Sequence, residues 1–155
     1  MINIPKIELP IVIKGTTSTE NLFEVMKGKN VVIFGVPGAY TPTCSERHLP
    51  GFIKLSDQIK SKGIDDIYCL SVNDAYVMKS WLQTYVNGDK INGIADGNAE
   101  FSIKMDLSIN YSKSFMGVRS KRFALIAQNN LIKNFYVEEK KEFSISSAEH
   151  ILTIL

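Results

Sequence analysis

Apolar and polar positions follow two regimes along this chain. Short unbroken apolar runs read as strands buried on both faces, and longer stretches with apolar residues every three or four positions read as helices packed on them. Residues 30–34 form a β-branched run without polar alternation, and residues 67–72 form a second. Between them, residues 44–61 place Leu49, Phe52, Ile53, Leu55 and Ile59 at helical spacing and stop before Gly63, which suits a helix C-terminus. Pro50-Gly51 inside that stretch predicts a kink or an interruption. Asn73 or Asp74 is placed to cap a helix carrying Val77, Trp81, Leu82 and Tyr85, which Asn87-Gly88 closes. Residues 91–95 predict a short third strand, Asp96-Gly97-Asn98 a turn, and residues 99–105 a further helix.

Toward the C-terminus, residues 123–127 and 131–137 flank Asn129-Asn130, whose tolerance for positive φ suits a tight hairpin. Residues 147–155 read as a last amphipathic helix capped by Ser146 or Ser147. Strands separated by helices, then a hairpin and a helix, describe an α/β protein: a central mixed β-sheet with helices on both faces. That order is compatible with a thioredoxin-like fold, although periodicity alone does not single it out from other α/β layers. No repeat, linker or low-complexity segment divides the chain, so residues 1–155 are expected to form a single domain.

Composition narrows the function classes. Hydrophobic residues make up 45% and charged residues 22%, as in ordinary globular proteins with one core, and the net charge of +2 selects no partner. Basic residues are scattered, which gives nucleic-acid binding no support, and no apolar stretch reaches the length of a membrane span. Two cysteines far apart make neither a disulfide framework nor a metal-site spacing. A reducing compartment is the simpler reading, which places the protein in the cytoplasm, or in an organelle such as a mitochondrion or plastid if a targeting peptide has been removed.

The chemistry concentrates in residues 31–44, where an apolar run ends in Gly35, Pro37 and Gly38 and a lone cysteine follows. Thr41 can serve as N-cap, and Pro42 suits the first helical position because its missing N–H would have no partner there. Cys44 then falls in the first helical turn, where free N–H groups and the helix dipole favour an anion. The nucleophilic form of cysteine is such an anion. An ordinary thiol with a pKa of about 8.5 is only roughly 3% ionised at neutral pH, and making it mostly ionised takes about 3–4 kcal/mol. A helix terminus supplies at most ~2 kcal/mol. A cation must therefore come from elsewhere, and Arg47, His48, Arg119, Lys121 and Arg122 are the candidates.

Residues 31–53 together resemble the peroxiredoxins, and most closely the atypical, type-five branch of these thioredoxin-fold thiol peroxidases. The family pattern of Pro, three residues, Thr or Ser, two residues and Cys is met by Pro37, Thr41 and Cys44. Cys69-Leu70-Ser71-Val72-Asn73-Asp74-Ala75 fits the same branch, as does Lys121-Arg122-Phe123, where the family carries its active-site arginine. The similarity runs in order through nearly the whole chain and is weakest over the first twenty or so residues.

The resemblance implies a function and a set of roles. Cys44 would attack hydrogen peroxide or an alkyl hydroperoxide and become a sulfenic acid. Thr41 would hydrogen-bond the thiolate and the peroxide, with a pure helix cap as the plainer alternative. Pro37 would shield the thiolate, and Arg122 would hold thiolate and peroxide oxygen together. Arg119 is a competitor for that role, and His48, one turn after Cys44, reads as packing rather than as a base. Cys69, inside an apolar strand, reads as a buried inert thiol. Members of this branch with an internal disulfide usually carry the resolving cysteine near the C-terminus, whereas residues 143–148 contain none. The expected recycling is therefore by an external thiol, either glutathione with glutaredoxin or a thioredoxin, in a homodimer needing no cofactor or metal. A different class of reading makes the protein a redox sensor whose oxidised Cys44 alters a partner interaction. A thiol–disulfide oxidoreductase of the same fold normally needs a Cys-x-x-Cys pair, and Cys44 is followed by Ser45, Glu46 and Arg47.

Overall fold

A computed structural model describes residues 2–155. Its frame is a seven-stranded mixed sheet built from β1 (Glu8–Ile13), β2 (Thr16–Asn21), β3 (Asn30–Val36), β4 (Asp66–Ser71), β5 (Asn92–Ala95), β8 (Phe123–Gln128) and β9 (Leu131–Val137), in the order β2-β1-β5-β4-β3-β8-β9. β3, β4 and β5 run parallel, and the remaining pairings are antiparallel. A separate two-stranded arm pairs β6 (Ser108–Asn110) with β7 (Val118–Ser120). This is the thioredoxin-like α/β arrangement the apolar pattern and the resemblance predict.

The strands with unbroken apolar runs are the central ones. Residues 31–36 of β3 are all fully buried, because both faces of the sheet are covered. On one face α2 (Leu49–Ser61), α3 (Ala75–Gln83) and α5 (Ala148–Ile154) pack Phe52, Ile59, Met78, Trp81 and Ile151 against Val32, Phe34, Cys69 and Ala124. On the other, α1 (Leu22–Met26) and α4 (Glu100–Lys104) contribute Leu22, Met26 and Phe101 against Val31, Ile33, Leu70 and Leu125. Burying each such side chain stabilises the fold by about 1.5–3 kcal/mol. The helices begin on ordinary caps: Asp74 accepts from the Val77 N–H at 2.9 Å, and Ser147 accepts from the His150 N–H at 3.1 Å. The β8–β9 hairpin turns at Asn129 and Asn130 with φ of 47° and 67°, the left-handed conformation that asparagine tolerates best after glycine.

Two departures from the expected pattern stand out. The first hairpin, β1–β2, gives almost no periodic signal because β2 reads Thr-Thr-Ser-Thr-Glu-Asn and is an exposed edge strand. The interruption expected at Pro50-Gly51 lies earlier. Residues 44–48 form a single π-helical turn, and Pro50 sits unstrained in the first turn of α2. No helix among the described residues is long and apolar enough to cross a membrane.

Candidate active site

The site lies at the C-terminal end of β3. β3 leads through Pro37 to the helix start at Pro42, and β8, antiparallel to β3, begins with Phe123 opposite Gly35. That register sets Arg122, one residue before β8, beside the end of β3. Gly35 is required there, since a Cβ would stand 1.9 Å from the Phe123 ring. A sequence separation of 78 residues is thereby closed, and Arg122 Nη2 donates to Cys44 Sγ at 3.0 Å. Hydrogen bonds of this kind, between a fixed cation and a sulfur that can carry negative charge, are roughly twice as strong as neutral ones. Cys44 itself is fully buried.

His48 is placed by the same π turn and is fully buried between Phe34 and Phe143, with ring centroids at 4.8 and 5.0 Å. Its two nitrogens are both engaged: Nε2 donates to the Ser146 carbonyl at 2.9 Å, and Nδ1 accepts from Arg122 Nη1 at 2.8 Å. Burial, and then the Arg122 charge, lower its pKa from 6.5 to about 3, so the ring is neutral and the tautomer is set by these partners. With Nδ1 occupied by the guanidinium, His48 is not a base toward Cys44. It touches the arginine directly, a contact that a reading as mere packing misses.

Thr41 behaves differently from a side-chain cap. Its carbonyl accepts the first helical bond from Ser45 at 2.9 Å, whereas its hydroxyl donates to the Gly38 carbonyl at 2.7 Å. The hydroxyl proton is thereby directed away from Cys44, which leaves the oxygen lone pairs available to an incoming O–H donor. Pro37 and Thr41 line a cavity of about 760 Å³ that Arg122 also faces, together with Lys121, Lys140 and Lys141. Arg119, the competing cation, serves the loop: Nε donates to the Met116 carbonyl at 2.9 Å and Nη1 reaches the Pro37 carbonyl at 3.5 Å.

Several side chains shape the site without having been singled out as site residues. Asn73 Oδ1 accepts from the Ala39 N–H at 3.0 Å and from the Ser71 hydroxyl, which pins the loop before Thr41. Trp81 Nε1 donates to Ser45 Oγ at 3.0 Å and Tyr85 donates to the Ser45 carbonyl at 2.7 Å, so α3 clamps the residue after Cys44. Phe143 lies against the Arg47 and Arg122 guanidiniums, at 4.6 and 5.8 Å from ring centroid to carbon. Apart from the Ser71–Asn73 bond, their partners are tens of residues distant, and no local spacing signals them.

Cys69 contrasts with Cys44. It is fully buried on β4 opposite Phe34, and burial first, then the neighbouring Cys44 charge, push its thiol well above the ordinary range. Both cysteines are free thiols.

A buried cysteine held by an arginine at the first turn after a β-strand defines a thioredoxin-fold thiol enzyme. The Redoxin family matches residues 3–152. Peroxiredoxin-2D of Arabidopsis thaliana is 45% identical over 137 residues, which cover 88% of this chain and 85% of that protein. Reduced Prx3 of Vibrio vulnificus in complex with hydrogen peroxide superposes with a TM-score of 0.92 at 43% identity, covering 98% of this chain and 95% of that one. The antioxidant protein of Plasmodium falciparum, a 1-Cys peroxiredoxin, gives 0.89 at 30% identity, with 99% and 97% covered. The chain belongs to the peroxiredoxins and is a thiol peroxidase.

Proposed function

We propose that Cys44 is the peroxidatic residue, and that hydrogen peroxide and small alkyl hydroperoxides are its substrates. The observation that carries this reading is the 3.0 Å hydrogen bond from Arg122 Nη2 to the buried sulfur of Cys44, the cysteine of the Pro37–Thr41–Cys44 pattern. The thiolate attacks one peroxide oxygen, a sulfur–oxygen bond forms as the oxygen–oxygen bond breaks, and the leaving oxygen takes up a proton as water or alcohol. Sulfur is oxidised to a sulfenic acid and the peroxide is reduced. As negative charge moves from sulfur to the leaving oxygen, the Arg122 fork can hold both ends. Thr41 Oγ1, its own proton bound to Gly38, accepts from the peroxide O–H and aligns it. Pro37 closes the wall of the cavity against bulk water.

The recycling thiol is external in this reading. Cys69 faces inward from a central strand, and residues 143–148 offer no cysteine. The cavity at the site mouth has room for a small thiol, and its wall mixes Lys121, Lys140 and Lys141 with Glu138, Glu139 and Glu142, a lining that can pair with both the carboxylates and the ammonium of glutathione. Glutathione would displace water from the sulfenic acid to form a mixed disulfide on Cys44. Glutaredoxin or a second thiol would then restore Cys44, and a thioredoxin-type reductant is the competing possibility. Tyr40 in the loop at residues 37–41 is exposed and tied to Ser80 one turn from exposed Tyr76, and exposed Phe115 precedes Met116, which packs on Gly38 of the same loop. They suit a homodimer contact beside the site.

The test mixes reduced protein with one equivalent of hydrogen peroxide, without reductant, and follows both cysteines by rapid quench and peptide mass. Fast sulfenic acid at Cys44 with Cys69 unmodified supports the reading, and added glutathione should then give a mixed disulfide on Cys44. A Cys44–Cys69 disulfide after one turnover would overturn the external-thiol part. Slow oxidation, or equal reactivity at both cysteines, would overturn the assignment of Cys44.

A further inference from the structure

The catalytic arginine belongs to a closed ring of hydrogen bonds, and one member of that ring has no part in the chemistry described above. Starting from Cys44, Arg122 Nη2 holds the sulfur and Nη1 donates to His48 Nδ1. His48 Nε2 donates to the Ser146 carbonyl. The Ser146 N–H and hydroxyl donate to the Glu138 carboxylate at 3.0 and 2.7 Å, and the Ser144 N–H donates to the same oxygen. Glu138 closes the ring on Arg122, because its own N–H donates to the Arg122 carbonyl at 2.9 Å. Its side chain is mostly buried and takes part in neither of the ion pairs among the described residues. A carboxylate kept from water and balanced only by hydroxyl and backbone N–H dipoles is a structural anchor whose position is defined by several bonds at once.

We propose that Glu138 is a positioning residue for Arg122, acting through Ser146 and His48. The guanidinium sits on a long side chain with many rotamers, and the one observed bonds both Cys44 and His48. His48 offers a lone pair to Arg122 only while Nε2 carries the proton, and the Ser146 carbonyl enforces that tautomer. The carbonyl is aimed by the turn at residues 144–146, and the Glu138 carboxylate is what that turn wraps. Without the carboxylate the turn loosens, the imidazole can present an N–H to the guanidinium, and the arginine leaves the sulfur. Phe143, in the same segment, lies over the ring and the guanidinium and closes the arrangement from outside.

The inference rests on the assignment of Cys44 and Arg122, and the test separates the two. Stopped-flow oxidation of the full chain by hydrogen peroxide, followed by fluorescence of the single tryptophan, Trp81, measures the rate beside Ser45. Iodoacetamide alkylation of Cys44 across pH measures how well the thiolate is held. In E138A oxidation should slow by about tenfold or more, the loss expected when a catalytic group is displaced by an ångström or so. The alkylation profile should move to higher pH. E138Q keeps an accepting oxygen and should fall between E138A and the parent. In an H48F background, E138A should have no further effect, since the path from Glu138 to Arg122 is already cut. Unchanged rate and alkylation in E138A, or an equal loss with and without His48, overturns the inference. If E138A does not fold, E138Q decides on both readouts. Slow oxidation of Cys44 in the unaltered protein would instead overturn the assignment beneath it.

Discussion

Cys44 and Cys69 lie in one core cluster and are both fully buried, yet the structure prepares them for opposite fates. Cys69 has Phe34 beside it in register and no hydrogen-bond donor on its sulfur among the described residues, and burial raises its pKa. Cys44 is as inaccessible in this static picture, but Arg122 donates to its sulfur and a cavity opens where Pro37, Thr41 and Arg122 meet. Burial alone therefore says little about a thiol. An apolar surrounding suppresses the anion, whereas the same low polarity strengthens a single well-placed cation. One guanidinium on the sulfur and one cavity beside it separate the two cysteines of this core, and the proposed assignment of Cys44 rests on that difference.

The contrast breaks most completely at the sulfur itself. C44S should abolish peroxide reduction in a coupled turnover assay, whereas C69A should retain it and lower stability by only about 1 kcal/mol in urea unfolding. Next comes the cation. R122Q should lower the second-order rate of Cys44 oxidation by about 10²–10³-fold, as loss of a preorganised charge donor at a reacting centre does, with Cys69 alkylation unchanged. Removing the Thr41 oxygen with T41V should slow oxidation by about 3–10-fold, the equivalent of one ordinary hydrogen bond. A rate for T41V equal to the parent would return Thr41 to a purely structural role.

A last test reads the His48 environment beside Cys44 through pH. His48 has a native pKa near 3 against 6.5 when unfolded, so between those values the unfolded chain holds a proton that the native one excludes. This contribution to stability is complete above pH 6.5 and is lost as pH falls through that window, by at most about 1.4 kcal/mol per pH unit. Glu138 tilts stability the same way at lower pH: burial raises its pKa, but the N–H and hydroxyl donors of residues 144–146 outweigh this and hold it below the ordinary range. Urea midpoints measured from pH 7 to pH 4 should fall, and H48F should flatten the upper part of that slope. An unchanged slope in H48F would mean the imidazole is not the group that resists protonation.

Much of the frame is legible in the amino-acid sequence because it depends on local order. The apolar runs at β3 and β4, the Asn129-Asn130 turn, the caps Asp74 and Ser147, and the Pro-started helix after a strand are all short-range patterns whose physics is complete within a few residues. The edge strand β2 escaped because an exposed strand needs no apolar alternation, and the arm β6–β7 because three-residue strands are too short for a period to register. The π turn at residues 44–48 displaced the interruption that Pro50-Gly51 suggested, since proline is well accommodated in a first turn.

For the site, the sequence by itself determined which residue types were available: one cysteine at a helix start, a threonine and a proline at fixed offsets, and the demand for a cation that the helix dipole could not meet. The energetic argument alone left five candidates for that cation, and the resemblance pointed to Arg122 through Lys121-Arg122-Phe123. The choice of Arg122 depends on the antiparallel register of β8 against β3, with Arg119 drawn instead to the Met116 and Pro37 carbonyls. The tautomer of His48, the clamp of Trp81 and Tyr85 on Ser45, and the ring through Ser146 and Glu138 were likewise decided only in three dimensions. The physical reason is the same in each case. Local patterns set what a segment can become, but hydrogen bonds between residues 36 to 98 positions apart exist only after the sheet has closed those distances.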